Sequence, residues 1–228
     1  MSLRLAIFDL DGTLKQARDP YVYLHKALGT WESSLVFHDK GLSGELDYDE
    51  WLGLDAALWK GTTLDRIRAI FQENEYLPGA QDTVKALQQV GVKVALVSTG
   101  LLVHAQQVQA EMSLDRVVAN EIFFEAGWVT GLARTHIPEG GKGPVVEQLQ
   151  TEFGVKPEEC LAVGDSPSDV AMFGRVGVGV AINPATEQVR QGAHLVLEEP
   201  DMRPLLPRLH QFAPGWIPTI DDKELDDG

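Results

Sequence analysis

Two carboxylates one residue apart, Asp9 and Asp11, stand at the end of the apolar run Leu3 to Phe8 and are followed at once by Gly12. Alternate side chains of a strand share a face, so both acids point the same way, and Gly12 lets the chain turn sharply after them. At the carboxyl end of a parallel strand such a pair faces the crevice where ligands bind. One carboxylate can then attack phosphorus while the other handles the leaving-group proton. A solvated Asp-Gly turn also fits these residues. Three later stretches have the same double character. Ser98-Thr99-Gly100 closes the apolar run Val92 to Val97 ahead of a helical pattern, as a phosphate corner or a plain N-cap. Lys142 lies in Gly140-Gly141-Lys142-Gly143-Pro144, which opens a helix from Val145 to Phe153, as an active-site cation or a surface lysine. Gly164-Asp165-Ser166-Pro167-Ser168-Asp169 follows the strand Cys160 to Val163. Asp169 can cap the helix through Met172 and Phe173, whereas Asp165 has no packing reason to be there.

These residues need strands to carry them and helices to follow. The alternation of the two predicts an α/β fold with a parallel sheet. Between Leu14 and Tyr76 the pattern is helical only. Asp19-Pro20 starts a first helix that Gly29 ends, and Thr30 starts a second through about Asp39. Asp47-x-x-Glu50 starts a third that Gly61 ends, and Thr63 starts a fourth through Phe71. Val117 to Glu125 and Trp128 to Leu132 predict a hairpin around Ala126-Gly127. The expected organisation is an α/β core over residues 1–14 and 77–213, a helical insertion over 15–76, and an acidic tail over 214–228 in which Trp216 and Ile217 can pin the chain to the core.

With 228 residues, 44% of them hydrophobic, the chain can bury a full core. A formal charge of −15 argues against nucleic acid or an anionic membrane surface as partner, since both require clustered Lys and Arg. No apolar run approaches the roughly 20 residues of a membrane span, and the first residues are already a core strand, as expected of a cytoplasmic protein. Cys160 stands alone and reads as core, and the six histidines show no metal-ligand spacing. The oligomeric state is not set by these features.

The four signals, in this order, resemble the haloacid dehalogenase superfamily from about Arg4 to Leu209. Leu114 to Glu121, Gly127 to Gly131, Ala162 to Asp165 and Val196 to Arg203 are similar to its phosphoserine phosphatase branch in particular. The resemblance implies a Rossmann-like parallel sheet core with a small helical cap inserted after the first strand and a β-hairpin appendage. It implies Asp9 as a nucleophile that forms an aspartyl-phosphate, Asp11 as general acid and then base, and Lys142 neutralising charge on Asp9 and the phosphoryl group. Ser98 with the backbone of Thr99 and Gly100 would hold phosphoryl oxygens. Mg2+ would be held by Asp9, the carbonyl of Asp11 and Asp165, with Asp169 acting through water or Lys142. A hard dication suits this oxygen set and offsets carboxylates that a phosphate dianion must approach.

Phosphoserine phosphatases use an acid after the first motif for the substrate amine and a cap arginine for its carboxylate. Those places fall near Arg18-Asp19 and at Asp55, and Ser168 replaces the usual asparagine of the fourth motif. The expectation is therefore a Mg2+-dependent phosphatase of the cytoplasm acting on a small phosphate ester. Phosphoserine phosphatase is its alternative, as is a phosphotransferase or mutase using the same intermediate. A scaffold protein is disfavoured by the intact motifs, and dehalogenation by an acid at Asp11. Trp51, Asp55 and Trp59 are spaced i, i+4 along the third cap helix. They either pack the cap's own core or face the active site and select the substrate, together with Arg18.

Overall fold

A computed structural model describes residues 2–138 and 140–218. In chain order its elements are β1 (Leu5–Phe8), α1 (Pro20–Leu28), α2 (Trp31–Ser43), α3 (Tyr48–Leu58), α4 (Leu64–Gln72), α5 (Ala80–Gln89), β2 (Lys93–Leu101) and α6 (Leu102–Met112). β3 (Arg116–Glu125), β4 (Trp128–Arg134), α7 (Lys142–Phe153), β5 (Cys160–Gly164), α8 (Val170–Phe173), β6 (Val178–Ile182), α9 (Glu187–Gly192), β7 (Leu195–Leu197) and α10 (Leu205–Phe212) complete it.

The strands form one sheet in the order β4-β3-β2-β1-β5-β6-β7, parallel except for the β3–β4 hairpin. β1 is central and buried on both faces, which is why it reads as an unbroken apolar run rather than an alternation. Leu5 and Ile7 pack with Val145, Val146 and Leu149 of α7, while Ala6 and Phe8 pack with Val84, Leu87 and Val108 of α5 and α6. Each large side chain so buried contributes about 1.5–3 kcal/mol over its exposed state. The chain runs outward from β1 to β2 and β3, then crosses to β5, β6 and β7 on the other side. The carboxyl end of β1 is therefore the switch point where a crevice opens. Phe8 is in register with Leu96 of β2 and Val163 of β5, so Asp9, Ser98 and Asp165 come to that crevice on adjacent strands.

The chain leaves the core at Lys15 and returns at Tyr76, where the two connections bridge. Gln16 N–H donates to Glu75 O and Leu77 N–H to Leu14 O. Helices α1, α3 and α4 share an apolar centre of Leu24, Leu52, Ala56, Trp59, Ile67 and Phe71 that continues into Leu101, Ile122 and Val129. The hairpin is thus a seat for the helical insertion: Gly61 N–H donates to Val129 O and Leu64 N–H to Gly127 O.

Some boundaries differ from the sequence expectation. α2 runs past Gly41 to Ser43 and stops at Gly44, whose φ of 77° supplies the left-handed cap. At Gly41, inside this helix, the Trp51 ring comes so close to the backbone that it leaves no room for a Cβ. α3 ends at Leu58, ahead of Gly61, and β4 continues to Arg134. β2 extends through Ser98-Thr99-Gly100 to Leu101, across an irregularity in its pairing with β3. Trp216 and Ile217 are buried in the core, with Trp216 O accepting from Leu3 N–H, so the chain belongs structurally to the core through these residues. The acidic run after Ile220 lies outside the described residues. Among the described residues no helix is long and apolar enough to cross a membrane.

Candidate active site

Lys142 is the first residue of α7 and is buried. Its Nζ lies 2.5 Å from Asp9 Oδ1 and 2.6 Å from Asp169 Oδ1. The other oxygen of Asp169 accepts from Asp165 N–H at 3.0 Å, Ser166 N–H at 2.8 Å and Ser166 Oγ at 2.9 Å. Asp169 is thus saturated with donors and fixes the β5 turn and Lys142 together. Carboxylate oxygens of Asp9, Asp165 and Asp169 all lie within 4.8 Å of one another. Asp165 is different from Asp169: its Oδ1 is buried with no hydrogen-bond partner among the described residues, and Oδ2 faces Arg18 Nε at 3.6 Å. Gly12, at φ +85°, lets the chain pass where any Cβ would strike the Asp165 carboxylate.

The cluster is short of positive charge. Burial pushes Asp9 up to about 7, with Lys142 pulling the other way and Asp169 and Asp11 adding to the rise. Burial and the charges of Asp9 and Asp169 push Asp165 up to about 8. Burial alone would depress Lys142, but Asp169 and Asp9 hold its ammonium above the ordinary lysine range. Lys142 and the partly exposed Arg18 leave these three carboxylates one positive charge short. The remaining deficit and the bare oxygen on Asp165 fit a hard divalent cation with oxygen ligands.

Asp11 sits beside this cluster. Its Oδ2 accepts from Ser98 Oγ at 3.2 Å, and Ser98 Oγ in turn accepts from Gly100 N–H at 2.8 Å. Asp11 Oδ1 has no hydrogen bond, and 3.4 Å away lies His104 Nδ1, also without one. The buried His104 ring is held by stacking on Phe71 of α4 at 4.3 Å. The carbonyl of Thr99 is the junction to the insertion, accepting from Tyr21 Oη at 2.8 Å, Tyr48 Oη at 2.9 Å and Asn120 Nδ2 at 2.8 Å.

Next to the carboxylates is a cavity of about 220 Å³ lined by Arg18, Tyr21, Tyr48, Trp51 and Asp55, reaching Thr99 and Ser166. The stripe Trp51-Asp55-Trp59 divides here. Trp51 and Asp55 line the cavity, whereas Trp59 is fully buried, stacked on Tyr21, with Nε1 donating to His25 Nδ1 at 3.1 Å. Asp55 neither reaches the cap's edge nor meets a lysine or arginine: its Oδ1 pairs with His25 Nε2 at 2.7 Å in the interior.

The structure therefore brings together Asp9, Asp11, Ser98, Lys142, Asp165 and Asp169, and sets Arg18, Trp51 and Asp55 beside them. Sequence reasoning missed His25, Tyr21, Tyr48, His104 and Asn120. Two of these left a local signal, a polar side chain at an apolar position: Asn120 after Val117-Val118-Ala119 and His104 between Val103 and Ala105. The others are brought in by helix packing that no local spacing encodes.

Residues 6–174 match the family model of haloacid dehalogenase-like hydrolases. The phosphoserine phosphatase of Archaeoglobus fulgidus is 32% identical over 181 residues, covering 79% of this chain and 52% of its own length. That of Idiomarina loihiensis is 32% identical over 182 residues, covering 78% of this chain and 81% of its own. The chain thus spans about half the length of the first of these relatives and most of the second. A solved substrate-bound phosphoserine phosphatase superposes with a TM-score of 0.79 over 91% of this chain and 99% of its own, at 24% identity, and shares the fold. The strand order, the acids at the strand ends and these matches agree: the chain belongs to the haloacid dehalogenase-like hydrolase family, in its phosphoserine phosphatase-like branch.

Proposed function

We propose that this chain is a Mg2+-dependent phosphatase that hydrolyses a small phosphate monoester through an aspartyl-phosphate on Asp9. The observation that carries the reading is the buried Asp9–Lys142–Asp169 pairing beside the bare Asp165 oxygen at the switch point of the sheet. Asp9 has one oxygen engaged by Lys142, which orients the carboxylate and leaves the other oxygen for attack on phosphorus. Lys142 offsets negative charge on Asp9 and on the phosphoryl group. Asp11 gives a proton to the departing alkoxide and later takes one from the water that hydrolyses the intermediate. His104 Nδ1 stands 3.4 Å from Asp11 Oδ1, beside the carboxylate that moves the proton. Ser98, Thr99 and Gly100 provide the contacts to phosphoryl oxygens.

Asp9, the main-chain carbonyl of Asp11 and Asp165 would hold Mg2+, while Asp169, its oxygens already taken, acts through Lys142. When bound, the ion supplies the positive charge that lets a phosphate dianion approach these carboxylates. Cytoplasmic location is part of the proposal, supported by the single free, buried Cys160. Phosphoserine is the substrate named for the relatives and is the second reading for this chain, favoured by branch membership. Against it stands the carboxylate of Asp55 in the cavity, where a substrate carboxylate would need a cation.

The test is a panel of alkyl and aryl phosphates assayed with Mg2+, in wild type and Asp9→Asn. Wild type is expected to release inorganic phosphate, and Asp9→Asn to lose at least roughly three orders of magnitude in turnover. Substantial Mg2+-dependent turnover by purified Asp9→Asn protein would overturn the assignment.

A further inference from the structure

The lining of the cavity beside the carboxylates includes both Arg18 and Asp55. At one end the Arg18 side chain lies over Gly12, its Nε 3.6 Å from Asp165 and its terminal nitrogen bonded to Asn183 O. Through Asp165 this side of the cavity adjoins the Asp9–Asp165–Asp169 cluster, where the phosphatase reading puts the phosphate. On the helical side is Asp55, 3% exposed. Its partner is the His25 ring. His25 Nδ1 lies 2.7 Å from Thr30 Oγ1 and accepts from Trp59 Nε1–H at 3.1 Å; because an indole N–H can only donate, this pattern assigns the ring's proton to Nε2, which faces Asp55 Oδ1 at 2.7 Å. Among the described residues Asp55 is paired with no lysine or arginine, only with a histidine ring, a costly setting for a buried carboxylate. Burial is the largest influence on its titration and holds it above the ordinary carboxylate range even with the His25 bond.

The surroundings of Asp55 are aromatic. Tyr21 and Tyr48 have their hydroxyls committed to Thr99 O, which fixes both rings, and Trp51 stands edge-on to Tyr48 and His38. Asp19, the other carboxylate in the lining, spends Oδ1 on the Tyr21 and Val22 amides at the start of α1. Asp55 is the carboxylate of the lining that stands among these rings. A substrate carboxylate would be repelled by it, with Arg18 already paired to Asp165. A neutral hydroxyl would leave its charge unmet. A cationic nitrogen answers both the carboxylate and the ring faces.

We infer that the Asp55 end of this cavity is an ammonium-binding subsite, so that the preferred substrates are aminoalkyl phosphates lacking a carboxylate. The inference rests on the phosphatase reading above and specifies its substrate class. His25 and Trp59 are positioning residues in this arrangement: they fix the tautomer that leaves Asp55 charged.

The test compares kcat/KM, with Mg2+ present, for 2-aminoethyl, 2-hydroxyethyl and carboxymethyl phosphate, with p-nitrophenyl phosphate as the control. Wild type is expected to favour the aminoethyl ester over the hydroxyethyl ester by roughly tenfold or more, and over the carboxymethyl ester by a larger factor. Asp55→Asn keeps the side-chain size and an acceptor for His25 Nε2–H but removes the charge. It is expected to erase the aminoethyl preference through KM. Equal kcat/KM for the aminoethyl and hydroxyethyl esters in wild type, or a preference that survives in Asp55→Asn, would overturn the inference alone. Failure of wild type to hydrolyse any of the four would overturn the phosphatase reading and this inference with it. The wild-type series decides the matter even if the variant folds poorly.

Discussion

The strand-end site and the helical insertion each bury charged groups, but they satisfy them in different ways. At the sheet, Lys142 stands between Asp9 and Asp169, and backbone amides of the β5 turn take up what remains of Asp169. In the insertion, Asp55 meets a histidine whose other nitrogen is already an acceptor. The first arrangement is a charged network in which removing the cation strands two anions. The second is a single anion held in place but not neutralised. The sheet end is therefore built to hold charge before any ligand arrives, whereas the insertion holds a charge whose counterpart has to come from outside.

The largest effect that tests this contrast is on stability. Lys142→Met removes the shared cation and should cost about 3–5 kcal/mol, the range for breaking a buried ion pair from one side. Asp55→Asn discards an uncompensated charge while keeping the His25 hydrogen bond, and should stay within about 1 kcal/mol of wild type. Urea denaturation without metal at a pH above 8 compares the two directly. Similar losses for both would erase the distinction between the regions. In Lys142→Met activity should also fall by roughly two orders of magnitude or more, as for removal of a group that stabilises transition-state charge.

The next effect is a linkage between pH and Mg2+. Asp9 and Asp165 are raised to about 7 and about 8 in the folded chain, from an ordinary value of 3.8. Between the ordinary and the raised values the folded state binds more protons than the unfolded one. The contribution of these two groups is therefore fully present below the unfolded value and is lost as pH rises through 7 and 8. Metal-free protein should owe less stability to this site at pH 8.5 than at pH 6, within the overall pH response of the molecule. Mg2+ competes with those protons, so it should bind more tightly at the higher pH and release protons when added near pH 7. At 100 times its dissociation constant it should add about 2.7 kcal/mol. Thermal unfolding with and without Mg2+ at the two pH values measures this. A shift independent of pH would mean that the ion does not displace protons from Asp9 and Asp165.

The same contrast explains what could be read from the sequence. β1 is buried on both faces, so its residues had to be apolar throughout, and the first polar residues after it had to be where the sheet ends. Asp9, Asp11, Ser98 and Asp165 were legible for this reason: parallel strands in register deliver their ends to one line. Lys142 was legible by type and place, but not as a buried residue, since Gly140 to Gly143 suggests an exposed turn. The insertion offered no such geometry. His25, Asp55 and Trp59 belong to two helices and to the residue that follows one of them, and only packing brings them together. The hairpin read as an appendage because nothing local announces that Val129 and Gly127 receive the backbone of residues 61–64. Trp216 and Ile217 were recognised as apolar, but their place in the core depends on Leu3 and Glu158, at the far end and the middle of the chain.

The smallest expected effect concerns two glycines of the insertion that local rules treat alike. Gly41 lies inside α2 and Gly53 inside α3. By helix propensity alone, either one replaced by alanine should gain about 0.5–1 kcal/mol. A Cβ on Gly53 would meet nothing within 4 Å, so Gly53→Ala should realise that gain. A Cβ on Gly41 would run into the Trp51 ring, coming within 2.7 Å of Cε2 and closer still to two other ring atoms. The indole would have to move, and overpacking of this kind costs about 1–3 kcal/mol, which outweighs the propensity gain. The two variants should therefore shift the urea midpoint in opposite directions. Because Trp51 also lines the cavity beside Asp55, Gly41→Ala should in addition narrow the discrimination between aminoethyl and hydroxyethyl phosphate, whereas Gly53→Ala should leave it unchanged. If Gly41→Ala stabilises the protein as much as Gly53→Ala does, the indole is free to give way, and the wall of the cavity on that side is not fixed by the contact between α2 and α3.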